Sequence, residues 1–117
     1  MSVEDHLPLK PVLFWILLVL VDGSSHGYRI LKEIESRTDG RIRLEPGNLY
    51  RYLRKLLDAG LIEEVVAADL GEGTDPRRRS YAVSPLGRRV VAAEARRMHA
   101  LVQAAEARMP LELEGEG

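Results

Sequence analysis

Basic side chains gather in two places along this chain. Between Arg41 and Gly60 stand Arg41, Arg43, Arg51, Arg54 and Lys55, opposed only by Glu45 and Asp58. Further on come Arg77, Arg78 and Arg79 in succession. A guanidinium is a rigid fork of donors that can grip two acceptors at once, on a phosphate or on the edge of a guanine. The amide of Asn48, at the edge of the first cluster, can pair with an adenine edge or a phosphate. The net charge of −1 does not weigh against such chemistry, because acids collect at the ends, at Glu4 and Asp5 and at Glu112, Glu114 and Glu116. Phosphate binding needs local positive charge rather than a high overall pI.

Other chemistry finds little support. The chain has no cysteine, which excludes disulfides and thiolate metal sites and fits a cytoplasmic location. His6, His26 and His99 have no metal-ligand spacing, and His26 reads as a turn or capping residue. No nucleophile–base set, paired carboxylates or glycine-rich phosphate loop stands out, so neither an enzyme nor a cofactor is expected. The apolar run Val12 to Val21 is ten residues long, far short of the roughly 20 that a membrane span needs. It reads as a buried helix, covered on all sides.

These groups need a scaffold, and 117 residues with 45% apolar content describe one folded domain. Pro8 and Pro11 lead into a first helix that ends near Val21. Ser24 or Ser25 is placed to cap a second, whose apolar stripe is Ile30, Leu31 and Ile34, and Thr38-Asp39-Gly40 stops it. Arg41-Ile42-Arg43-Leu44 alternates as a very short strand would. Glu45-Pro46-Gly47 turns the chain into a third helix that Gly60 ends. Leu49, Leu53, Leu56 and Leu57 share one face of it, and Arg51, Arg54, Lys55 and Asp58 the opposite one. Tyr52 lies nearer the apolar face and belongs with the core. Taken alone, the basic face is equally what an ordinary solvated helix shows.

Residues 61–68 read as a strand, 70–76 as a turn, and Arg79-Ser80-Tyr81-Ala82-Val83 as the returning strand. Ser84-Pro85 is a helix start, with an N-cap serine and proline at the first helical position. The helix that follows runs to Met109. Along it Val91, Ala95, Met98, Val102, Ala105 and Met109 recur at heptad-like spacing, a seam by which one helix grips another.

This order of elements is that of a winged helix-turn-helix, and several segments resemble the PadR family of bacterial transcriptional regulators. The matching residues are Ser25-His26-Gly27-Tyr28, Pro46-Gly47-Asn48-Leu49-Tyr50-Arg51, Leu53 through Leu57, Gly60-Leu61-Ile62, Arg79-Ser80-Tyr81 and Ser84-Pro85-Leu86-Gly87. They stand in the family's order from about Leu13 to Arg97. The family more often has serine or threonine at the position of Asn48, and glutamate at that of Leu57.

The expectation is a mainly α fold with a small β-hairpin: a winged helix-turn-helix over residues 8–84, a dimerisation helix over 85–109 and a frayed tail at 110–117. The resemblance implies a homodimeric repressor that binds double-stranded DNA at a pseudo-palindromic operator, with no membrane partner. Asn48, Arg51, Arg54 and Lys55 are then the candidate readers, and Arg77, Arg78 and Arg79 reach a flanking groove or phosphates, one of them merely flanking the strand. Tyr28 and Tyr50 are phosphate contacts by the same resemblance, or else pack between the second and third helices. Phe14 and Trp15 are candidates to line a site for a small aromatic effector between subunits, against the simpler reading that they fill the core. A module whose basic face meets an acidic protein is the competing function.

Overall fold

The computed structural model describes residues 2–65 and 79–109. A single 3₁₀ turn, Val3–His6, precedes α1 (Pro11–Val21), β1 (Ser25–His26), α2 (Gly27–Arg37), α3 (Pro46–Asp58), β2 (Ile62–Val65), β3 (Ser80–Val83) and α4 (Pro85–Arg108). The strands form an antiparallel sheet in the order β1-β3-β2, with Tyr81 of β3 opposite both Ser25 and Glu64. Three helices followed by a hairpin give the winged helix-turn-helix expected from the sequence. The turn at 70–76, Arg77, Arg78 and the tail at 110–117 lie outside the described residues.

The core forms where the apolar stripes of α2 and α3 meet α1, around Ile16, Leu20, Ile30, Ile34, Leu49 and Leu53. Proline stands at the first position of α1, α3 and α4, where the missing N–H costs no hydrogen bond. Gly60, at φ 77°, closes α3 with a paired turn: its N–H reaches the Leu57 carbonyl and that of Leu61 the Leu56 carbonyl, both at 3.0 Å. This satisfies carbonyls that a helix end would otherwise leave open. Ser84 caps α4, its hydroxyl accepting from the Gly87 N–H at 2.9 Å and donating to the Gly60 carbonyl at 2.6 Å. One serine thus welds the end of α3 to the start of α4.

Three local expectations change. The cap of α2 is neither Ser24 nor Ser25 but His26, whose Nδ1 accepts from the Arg29 N–H at 3.3 Å. Ser25 is instead drawn into β1 by pairing with β3, a long-range contact that local sequence does not announce. Residues 41–44 form no strand. Thr38 Oγ1 takes the Ile42 N–H at 3.1 Å while donating to the Ile34 carbonyl at 2.8 Å, which folds the segment back onto α2. The alternation survives without a ladder, Ile42 and Leu44 turned partly inward and Arg41 and Arg43 outward.

The third change concerns α1. It is not covered all round: Ile16, Leu17 and Leu20 are buried, but Phe14, Trp15 and Leu18 are only half-buried and share one face. Among the described residues no helix is long and apolar enough to cross a membrane.

Candidate nucleic-acid interface

Helix α3 is anchored by Leu49, Leu53 and Leu56, each about 1% exposed, and this fixes what its other faces present. Gly47, Arg51, Arg54 and Asp58 lie along the outward ridge. Tyr50 stands on one flank, and Asn48 and Lys55 on the other. Leu57, expected with the core, is half-buried beside Leu53 on the Tyr50 side, and Tyr52 is likewise half-buried against the core.

A cleft of about 660 Å³ opens on the Tyr50 flank, between the start of α2, α3 and β3. Tyr28, Tyr50, Arg54, Arg79 and Tyr81 line it, over a floor that includes Leu53 and Leu57. Four sequence-predicted contacts, from α2, α3 and the hairpin, are thereby brought to one place. Tyr28 is 62% exposed and Tyr50 51%, so each phenol keeps a large solvent-facing surface, although the Tyr50 hydroxyl also lies against Gly27 at the start of α2. The Lys32 ammonium sits 5.6 Å from the centre of the Tyr28 ring, a cation–π distance that steadies the phenol.

The charged groups are held by neighbours that a stronger acceptor can displace. Arg54 pairs loosely with Asp58 at 3.9 Å, both well exposed, and Arg79 pairs with Glu64 across the hairpin at 3.0 Å. Exposed pairs of this kind are worth little. Arg51 donates to the side-chain oxygen of Asn48, so the two act as one unit on the outward face. Tyr81 was not foreseen as a member of the site. Burial, with the Glu64 carboxylate nearby, pushes its phenol above the usual value and keeps it a hydrogen-bond donor. Its signal in the sequence, a lone tyrosine in a strand, looks like ordinary core.

Other predicted site residues fall elsewhere. Lys55 lines a separate cavity with the N-terminal segment rather than the tyrosine cleft. Trp15 faces a cavity of about 460 Å³ with Arg37, Thr38, Asp39 and Ile42, and Phe14 does not line it. Along α4, Val91 and Met98 are half-buried, Ala95 is exposed, and every residue from Leu101 to Met109 is exposed. No cluster of side chains among the described residues could hold a metal ion.

A conserved-family description, the Transcriptional regulator PadR-like family, matches residues 16–93, two thirds of the chain. The chain belongs to this PadR-like family. No curated protein matches it. Among solved structures, a transcriptional regulator from Clostridium thermocellum is 25% identical, with a TM-score of 0.68 over 82% of this chain and 87% of that one. A PadR family regulator from Clostridium difficile superposes at a TM-score of 0.67 with 18% identity, over 85% and 97% of the two chains. Bacillus subtilis PadR, solved in complex with operator DNA, is 21% identical with a TM-score of 0.61, over 72% of this chain and 46% of that one. The latter two likenesses speak for the fold.

Proposed function

We propose that this PadR-like protein is a homodimeric repressor that binds double-stranded DNA with α3 in the major groove. The observation that carries this reading is the convergence of Tyr28, Tyr50, Arg54 and Arg79 on one cleft beside an outward ridge of Arg51 and Arg54. Two phenols and two guanidiniums around a cleft suit a backbone phosphate, while a ridge of Arg51 with Asn48 suits base edges in a groove about 12 Å wide. Arg77 and Arg78 lie outside the described residues, and the reading that they meet a flanking groove or phosphates rests on the sequence alone.

The dimer is supported by two apolar stripes that the described residues leave partly or wholly open. One is Phe14, Trp15 and Leu18 on α1, and the other runs through Met98, Leu101, Val102, Ala105 and Met109 on and beyond α4. Leu101 and Val102 are 57% and 46% exposed, high for large apolar residues at helical spacing. Pairing α4 with its counterpart along the Val91-to-Met109 seam, and with the partner's α1, covers both. A site for a small aromatic effector beside Trp15 and Phe14 follows from the same geometry, since both then sit at the subunit boundary.

Selection of bound genomic fragments, followed by titration at several salt concentrations, tests this reading. A recovered pseudo-palindrome bound more tightly than scrambled DNA, with affinity falling steeply as salt rises, is expected. Equal affinity for both sequences would favour the module that meets an acidic protein.

A further inference from the structure

A second cavity, of about 330 Å³, lies on the Lys55 flank of α3. His6, Leu9 and Lys10 of the N-terminal segment form one wall, and Lys55, Leu56 and Ala59 at the end of α3 form the other. Leu13 and Leu61, both buried, close its base. The size falls within the range of about 300–1,000 Å³ usual for small-molecule sites.

The outer wall is tied down from behind. Glu94 of α4 is 1% exposed, and its carboxylate accepts from the Leu9 N–H at 3.3 Å and from Arg97 at 2.7 Å on each oxygen. The cavity therefore separates a segment fastened to α4 from the end of α3.

Its chemistry is amphipathic. Lys10 and Lys55 are exposed at its rim, and neither forms an ion pair among the described residues. Asp5 also lines it, but its Oδ2 already accepts the Ser2 N–H at 3.0 Å, and two ammoniums outweigh one carboxylate. His6 Nε2 is buried with no hydrogen-bond partner among the described residues, a polar position in this wall that is left unused.

We propose that this cavity binds a small organic anion, its apolar body against Leu9, Leu13 and Leu56 and its carboxylate between Lys10 and Lys55. Bound there, the anion fastens the end of α3 to the segment held by α4 and withdraws Lys55 from DNA. Only that consequence rests on the DNA-binding reading; occupancy of the cavity does not.

The test is therefore made on the free, full-length protein, by ¹⁵N-resolved NMR titration with hexanoate and with benzoate. Saturable shifts confined to Leu9, Lys10, Lys55, Leu56 and Ala59 are expected. Hexan-1-ol, which lacks the charge, should bind about tenfold more weakly, as should hexanoate to a Lys10→Gln, Lys55→Gln variant with an otherwise unchanged spectrum. Absence of saturable shifts with both anions, or equal binding of hexanoate and hexan-1-ol, would overturn the site.

Discussion

Gly27 and Tyr50 are in contact across the helix-turn-helix: a Cβ placed on Gly27 would sit 3.2 Å from the Tyr50 hydroxyl oxygen and 3.5 Å from Leu49 Cδ2. The absent side chain at the start of α2 is what lets the Tyr50 phenol lie where it lines the cleft. In Gly27→Ala the half-exposed phenol must yield by a few tenths of an ångström, while alanine improves the helix by up to about 1 kcal/mol. The expected outcome is an unchanged or slightly raised unfolding temperature with DNA affinity weakened by about 1 kcal/mol, the worth of one hydrogen bond. Anisotropy titration beside a thermal melt separates the two; full affinity would place Tyr50 outside the interface.

Gly87 serves stability rather than binding. A Cβ there would lie 2.1 Å from the Leu61 carbonyl oxygen and 2.7 Å from Val83 Cγ2, and the first is backbone that cannot move aside. Gly87→Ala should cost about 3 kcal/mol or more in a urea melt, since overpacking meets the joint that Ser84 makes between α3 and α4. A loss below about 1 kcal/mol would mean that α4 is not seated against Leu61.

Glu94 should give stability a pH dependence. Its hydrogen bonds to Arg97, together with the Leu9 N–H, hold the carboxyl below its ordinary value against the opposing effect of burial. A lowered folded value means that the unfolded chain binds the proton first. This stabilisation is present above the ordinary glutamate value and is lost as pH falls through the lowered one. Glu94→Gln should destabilise by about 1–3 kcal/mol at neutral pH and flatten the acid limb of a stability-against-pH curve. An unaltered acid limb would show that the carboxylate is not held by Arg97.

The proposed seam on α4 predicts that Met98→Glu, or Val102→Glu at an exposed position, yields monomers in sedimentation velocity. Folding should be retained for Val102→Glu, because residues 101–109 are exposed and none of them belongs to the core or packs against it. A dimer that survives both changes would move the interface off this stripe.

How far the sequence alone reached depended on the range of each interaction. Periodicity placed all four helices, and Ser84-Pro85 and Gly60 marked their ends correctly, because capping is settled within a few residues. The failures were of both kinds: one was long-range, and one was set by Thr38 hydrogen bonds that span only four residues each. Ser25 is claimed by β3 rather than by the cap of α2, and Thr38 captures the segment that resembled a strand. Glu94, a charge on a helix that nothing in its local sequence singles out, is buried and hydrogen-bonded to a segment 85 residues away. For the site, the basic helical face pointed to Arg54 and the family resemblance to Tyr28 and Tyr50, but neither could show that Lys55 lines a different cavity from these three, since a basic helical face looks continuous until its neighbours are known.

The most direct measurement is the affinity of the wild-type protein and of Arg54→Ala for the selected operator and for a scrambled duplex, each over a range of salt. Among the described residues, Arg54 alone belongs to both the outward ridge and the tyrosine cleft. Its loss should weaken operator binding by about 1–3 kcal/mol, weaken scrambled DNA less, and lower the salt slope by about one. Identical operator affinity for the two proteins would contradict the account and mean that this face of α3 does not read DNA.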